Sequence, residues 1–296
     1  MLILSKHENP DPQVSVLERA ILECCRAEQV DCLVISPLYR IAESSKLWAN
    51  LADRSDHAVL AGWFHPRPAH WLLRRHQIVI EESCILDLRT FADAFSVLAA
   101  AASLGAGVAS ETVSPNASQE LRAVTRARWY PVLDGSRCVN CQHCLQFCLF
   151  GVYDLDAAGR VRVQNPDQCK NGCPACSRIC PQSAIMFPLY EKDSAIAGAP
   201  GEYVIPDAAA KRMFYARTKQ PCPACGQKAA RKSPPSASSD RLCPECGRPL
   251  PDGVQPNSSA SDTSPETNRS DQAVKPAFDD LDLLVDQLDQ AMQRRD

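Results

Sequence analysis

No window of this sequence approaches the roughly 18 consecutive apolar residues of a membrane-spanning helix. The nearest candidate, the alanine-rich stretch Ala99–Ala109, is broken by Ser103 and by small residues. A basic surplus is also absent: the net charge is −3 and the pI near 6.1, so composition carries no electrostatic footprint for nucleic acid or an anionic membrane surface. No G-x-G-x-x-G follows the first apolar run and no G-x-x-x-x-G-K-[ST] occurs anywhere, which leaves nucleotide binding without its usual sequence support. The opening MLILSKHENPDP has too short an apolar run for a signal peptide, whose apolar region needs roughly 7–15 residues. The expected compartment is therefore the cytoplasm, where reducing conditions disfavour disulfides. What the chain does have is 16 cysteines in 296 residues, and in that setting they read mostly as metal ligands.

Residues 1–108 alternate strand and helix patterns. MLILS, DCLVIS and AVLAGWF read as buried strands, and QIVIEESCILDL as one or two more. VSVLERAILECCRAEQ, Ser44–Arg54, AHWLLRRH and TFADAFSVLAAAASLG read as helices, with Pro66 and Pro68 breaking the chain before the third. This alternation predicts an α/β domain, a small parallel sheet covered by helices. Residues 109–127 read as a polar linker or connecting helix. Cys24, Cys25, Cys32 and Cys84 lie within apolar patterns and read as buried, inert thiols. GWFHPRPAHWLLRRH follows the end of a strand, where open α/β sheets bind ligands. His65, Arg67, His70 and Arg74 could face an anion or a redox partner there; the favoured reading is a surface loop followed by a helix packed through Trp63, Trp71 and Leu72. No nucleophile–base pair stands out, so no catalytic residue is assigned.

The densest signal is RCVNCQHCLQFC, spaced C-x2-C-x2-C-x3-C through Cys138, Cys141, Cys144 and Cys148. A second run, QCKNGCPACSRICP, reads C-x3-C-x2-C-x3-C-P through Cys169, Cys173, Cys176 and Cys180. Zinc sites favour two separate C-x2-C knuckles per ion, which two such runs fit poorly. Thiolates are soft anionic ligands suited to iron–sulfur clusters, and the spacing follows the bacterial two-cluster pattern. The flanks agree: a short strand in WYPVLDGSRC, two strands around a turn at Asp156–Gly159, and a closing strand in AIMFP.

Residues 128–190 thus resemble a bacterial two-4Fe–4S ferredoxin, an α+β dicluster domain. The resemblance implies that Cys138, Cys141, Cys144 and Cys180 bind one 4Fe–4S cluster, and Cys148, Cys169, Cys173 and Cys176 the other. Two departures stand out. Leu149 occupies the place of the usual proline, and one extra residue separates Cys169 from Cys173, a loop that Gly172 could relax. Phe147, Leu149, Phe150 and Val152 form an apolar setting expected to keep water from Cys148.

Residues 206–250 hold a helical pattern and two CPxCG knuckles, Cys222 with Cys225 and Cys243 with Cys246. Two knuckles complete a tetrahedral thiolate shell, and the stretch resembles a zinc ribbon holding one Zn2+, with mononuclear iron as the alternative. Residues 251–276 have the polar composition of a disordered linker, and 277–296 the stripe of an amphipathic helix. The reading is an electron-transfer protein serving a redox partner protein, with no membrane or nucleic-acid partner assigned. Its alternatives are an oxidoreductase subunit whose α/β domain binds substrate or flavin, and a cluster-based redox sensor.

Overall fold

The first apolar run becomes β1 (Leu2–Ser5), buried along its whole length. Asp11 then caps α1 (Pro12–Ala27): its carboxylate accepts from the Val14 amide at 2.8 Å, and Pro12 opens the first turn, where no amide partner is needed. There follow β2 (Cys32–Ile35), α2 (Leu47–Ala52), β3 (Val59–Gly62), α3 (Pro66–Arg75), β4 (Ile85–Asp87), α4 (Ala94–Ser103) and β5 (Gln119–Leu121). The strands form one sheet in the order β4-β3-β1-β2-β5, with every pair parallel. Strand side chains alternate between faces. Ile3, Leu33, Ile35 and Leu60 pack with Leu47, Leu51, Leu72 and Leu73 of α2 and α3. Leu2, Leu4, Val34 and Val59 pack with Ile21, Val97 and Ala101 of α1 and α4. The computed structural model describes residues 1–106, 119–121 and 128–206, with positions 211, 212, 214, 215, 221, 226, 243 and 250.

Two expectations need correcting. Pro66 does not break the chain; it is the first residue of α3, with Pro68 still in the first turn. Of the one or two strands expected in QIVIEESCILDL one forms, β4, and Ile78–Ile80 joins no ladder. Instead Ile78 and Ile80 are buried, and the Ile80 carbonyl accepts from His70 Nδ1 at 2.8 Å. The stretch 109–127 is more than a connection, since it contains β5, which extends the sheet beside β2.

The cysteine-rich part contributes β6 (Val132–Leu133), α5 (His143–Phe147), β7 (Tyr153–Leu155), β8 (Val161–Val163), α6 (Ala175–Ile179), β9 (Ile185–Met186) and α7 (Ser194–Ala197). β7 and β8 form an antiparallel hairpin whose turn is closed by Gly159 donating to the Asp156 carbonyl at 2.9 Å. β6 and β9 form a second antiparallel pair. Its alternation joins two cores: Val132 and Met186 pack into the α/β core, whereas Leu133 and Ile185 face the core around the cysteines. Tyr130 and Trp129 divide in the same way. The α/β part and the cysteine-bearing part accordingly belong to one compact unit.

Polar ties cross the same seam. Arg128 is buried, lies 4.3 Å over the Tyr130 ring, donates to Glu43 at 3.0 Å and Asp167 at 2.7 Å, and also bonds the Ile41 carbonyl. Tyr130 donates its hydroxyl to the Tyr39 carbonyl at 3.2 Å. Gly198, at φ +93°, sits where a Cβ would lie 2.9 Å from Met186 Sδ and 3.0 Å from Pro68 Cδ. The expected linker 251–276 and helix 277–296 lie outside the described residues, as do Cys222, Cys225 and Cys246. Among the described residues no helix is long and apolar enough to cross a membrane.

Candidate metal centre

Each cysteine run enters a one-turn helix. Cys138 and Cys141 precede α5, Cys144 lies in it and Cys148 ends it. Cys173 precedes α6, Cys176 lies in it and Cys180 ends it. The first loop turns through two left-handed residues, Asn140 (φ 56°) and Gln142 (φ 59°). Asn140 is pinned to the β7–β8 hairpin, donating to the Gly159 carbonyl and accepting from the Val161 amide, both at 2.9 Å. The second loop absorbs its extra residue in a turn, with Cys173 donating to the Lys170 carbonyl at 3.1 Å and Gly172 at φ +74°.

Cys138, Cys141, Cys144 and Cys180 line one pocket that opens to solvent. Among the described residues no group of three or more His, Cys, Asp or Glu side chains is placed to hold a single metal ion. These four thiols would hold a 4Fe–4S cluster, which would supply one-electron chemistry there. All eight thiols are free of disulfides. Burial pushes Cys144 up to about 12, helped by the neighbouring charges of Cys180, Cys141 and Cys138. Burial also raises Cys180. In the second group burial pushes Cys169 up to about 12, with Cys173 and Cys148 adding to it. Cys176 is driven well above 9.0, again by burial first, with Cys169 among the charges that add to it. The thiols act on one another within each run and across the two, Cys144 adding to the shift of Cys176 as well. Crowded, buried thiols resist ionisation unless positive charge joins them, which cluster iron would supply.

Hydrogen bonds reach several of these sulfurs. Tyr153, fully buried from β7, donates its hydroxyl to Cys176 Sγ at 3.1 Å. The Ala184 amide donates to Cys180 Sγ at 3.3 Å. Trp129 stacks on Phe187 at 5.2 Å and donates Nε1 to the Cys173 carbonyl at 3.3 Å. Of the residues expected to shield Cys148, Val152 is buried, but Leu149 is 52% exposed and points away from that task. Cysteine spacing carries no signal for Tyr153 or Trp129.

The other candidates fall elsewhere. Arg67 and His70 are buried and hydrogen-bonded within the fold, Arg67 through Nε and one terminal nitrogen while its other terminal nitrogen is buried without a partner, which leaves both unable to face a diffusing partner. Arg74 is exposed beside Trp71, and His65 sits at the start of α3 with Nδ1 2.8 Å from Arg89. Cys25 and Cys32 are buried and hydrogen-bond each other; Cys24 and Cys84 are half-buried. Cys243 is buried with Ile179, Phe214 and Tyr215 against the end of α6.

No family model matches the chain, and no solved structure matches it. Two curated proteins of Methanocaldococcus jannaschii are similar over short segments. An uncharacterized ferredoxin is 48% identical over 61 residues, 20% of this chain and 41% of that protein. The pyruvate synthase subunit PorD is 33% identical over 85 residues, 29% of this chain and 96% of that subunit. The chain spans about two fifths of the first relative and nearly all of the second, and through that segment it belongs to the ferredoxin-type iron–sulfur family.

Proposed function

We propose that this chain is an electron carrier with two 4Fe–4S clusters. Cys138, Cys141, Cys144 and Cys180 would hold cluster one, and Cys148, Cys169, Cys173 and Cys176 cluster two. The observation that carries this reading is the cavity walled by four free thiols, three from one loop and the fourth from the end of the opposite run. Bound clusters supply one-electron chemistry at potentials set by their surroundings. The protein's own residues do the rest. Tyr153 and the Ala184 amide place hydrogen bonds on sulfur, which favour the more negative, reduced state. Val152, Phe187 and Ile185 keep the interior apolar. Exposed Cys141 and Val139 leave one side of the first cavity close to solvent, where an electron can enter or leave.

The partner is a redox protein. Similarity to a pyruvate synthase subunit favours a second form of the reading, in which the chain serves as the electron-carrying subunit of an oxidoreductase complex. Cys222, Cys225, Cys243 and Cys246 would hold a separate structural zinc, or a mononuclear iron; the burial of Cys243 against Phe214 supports a closed, docked knuckle. Replacing Cys141 by Ser tests the partition of sites. Iron should fall while zinc stays constant, and joint loss of both metals would overturn the separate assignment.

A further inference from the structure

Arg67 belongs to the first turn of α3, in the α/β domain, yet its side chain ends among the loops that carry cluster one's ligands. Its Nε donates to Asp134 Oδ2 at 2.7 Å, and one terminal nitrogen donates to the Ser183 carbonyl at 2.8 Å. The side chains of Arg67 and Asp134 are 6% and 3% exposed, so this is a buried charge pair. Each bond leads onward to a cysteine. The Ser183 carbonyl shares its peptide group with the Ala184 amide, and that amide donates to Cys180 Sγ at 3.3 Å. Asp134 donates its own amide to the Ala184 carbonyl at 2.8 Å, and its carbonyl accepts from the Cys138 amide at 3.1 Å. One guanidinium therefore ties together the loops that end in Cys138 and Cys180.

The geometry around Ser183 is unusual. It is a buried, non-glycine residue at φ +50°, a conformation that persists only when its surroundings hold it. Arg67 holds its carbonyl, and its hydroxyl accepts from the Val204 amide at 2.7 Å. A cation on the carbonyl side of a peptide polarises the amide on the other side, because hydrogen bonds in a chain strengthen one another in a low-dielectric interior. Arg137, which precedes Cys138, adds a second guanidinium 3.7 Å from Asp134. Two cations thus face one carboxylate, which leaves a net positive charge beside the thiolates.

We infer that Arg67 is a positioning residue for cluster one: through the Ser183–Ala184 peptide it strengthens the hydrogen bond to Cys180 Sγ and raises that cluster's reduction potential. The inference rests on the two-cluster reading above. It makes the α/β domain, which carries none of the eight cysteines, a setter of cluster one's electron affinity.

The test is a potentiometric titration of the full-length protein, followed by paramagnetic NMR of assigned cysteine β-protons so that the two clusters are read separately. Arg67→Met should lower cluster one's potential by about 30–60 mV, a threefold to tenfold change in a one-electron equilibrium. Cluster two should not move, and Arg67→Lys should recover part of the shift. Because Arg67→Met leaves the buried Asp134 carboxylate without its 2.7 Å partner, with Arg137 at 3.7 Å, and could impair folding, the double variant Arg67→Met with Asp134→Asn completes the test. If the relay through Ser183 operates, the double variant also stays low. A double variant at the wild-type potential, or equal shifts in both clusters, would overturn the inference. Absence of clusters from the wild-type protein would instead overturn the reading on which it rests.

Discussion

Tyr153 Oη lies 3.1 Å from Cys176 Sγ, both residues buried, one on β7 and the other on α6. The bond puts a neutral donor on a sulfur that water does not reach. A donor there stabilises the reduced, more negative state more than the oxidised one. Tyr153→Phe should lower cluster two's potential by about 40 mV, the equivalent of about 1 kcal/mol in a one-electron couple. Iron content should stay the same. A protein-film voltammogram with both waves unmoved would show that the hydroxyl does not act on the cluster.

Gly172 should matter through its backbone alone. At φ +74° it has open space where a Cβ would be, so alanine meets no clash but must adopt a left-handed conformation. Gly172→Ala should destabilise the protein by about 1 kcal/mol and still assemble the cluster bound by Cys169 and Cys173. Denaturant midpoints and iron content of the purified variant check both parts. Loss of half the iron would mean that the extra residue of this loop is under tighter control than its turn geometry implies.

Gly198 tests whether the α/β core and the cysteine-bearing core stand as one. A Cβ there would press on both Met186 and Pro68, and the residue also has a positive φ. Gly198→Ala should therefore cost about 1–3 kcal/mol, more than Gly172→Ala. Urea unfolding should show Trp fluorescence and cluster absorbance lost together in the wild type. Separate transitions in the wild-type protein would mean that the shared core does not couple the two parts.

His76 gives the fold a pH dependence. It stacks on Trp48 with ring centroids 3.8 Å apart. Burial, against the opposing pull of Glu43, lowers it from 6.5 to about 4. Between these two values the unfolded chain binds a proton that the folded chain refuses. Stability is therefore fully present above about pH 6.5 and declines as pH falls toward 4, by at most about 1.4 kcal/mol per unit. His76→Phe should flatten this part of the profile, and an NMR titration should find the wild-type ring neutral at pH 5.

Much of this was legible in the residues. Apolar runs and 3.6-residue stripes marked the strands and helices of the α/β layer, because burial on both faces of a parallel sheet leaves such runs. Three details were not. Pro66 reads equally as a breaker and as a first helical residue, and only the chain's direction after β3 decides between them. β5 is short and sits in a polar stretch, so neither period nor propensity signals it. The apolar Ile78–Ile80 looks like a strand, but burial alone does not supply a ladder partner. At the site, cysteine spacing marked the ferredoxin-type segment that the curated relatives match. It could not reveal Arg67, whose partners Asp134 and Ser183 are 67 and 116 residues away. Long-range polar pairing leaves no local pattern.

The most direct test of the central claim is a count of iron, sulfide and zinc per chain on anaerobically purified protein, with EPR of the reduced sample. Two 4Fe–4S clusters predict about eight iron and eight sulfide, with the signal of two interacting reduced centres. About four iron would contradict the two-cluster account and leave a single-cluster protein. Zinc in place of iron at the eight cysteines would contradict electron transfer altogether.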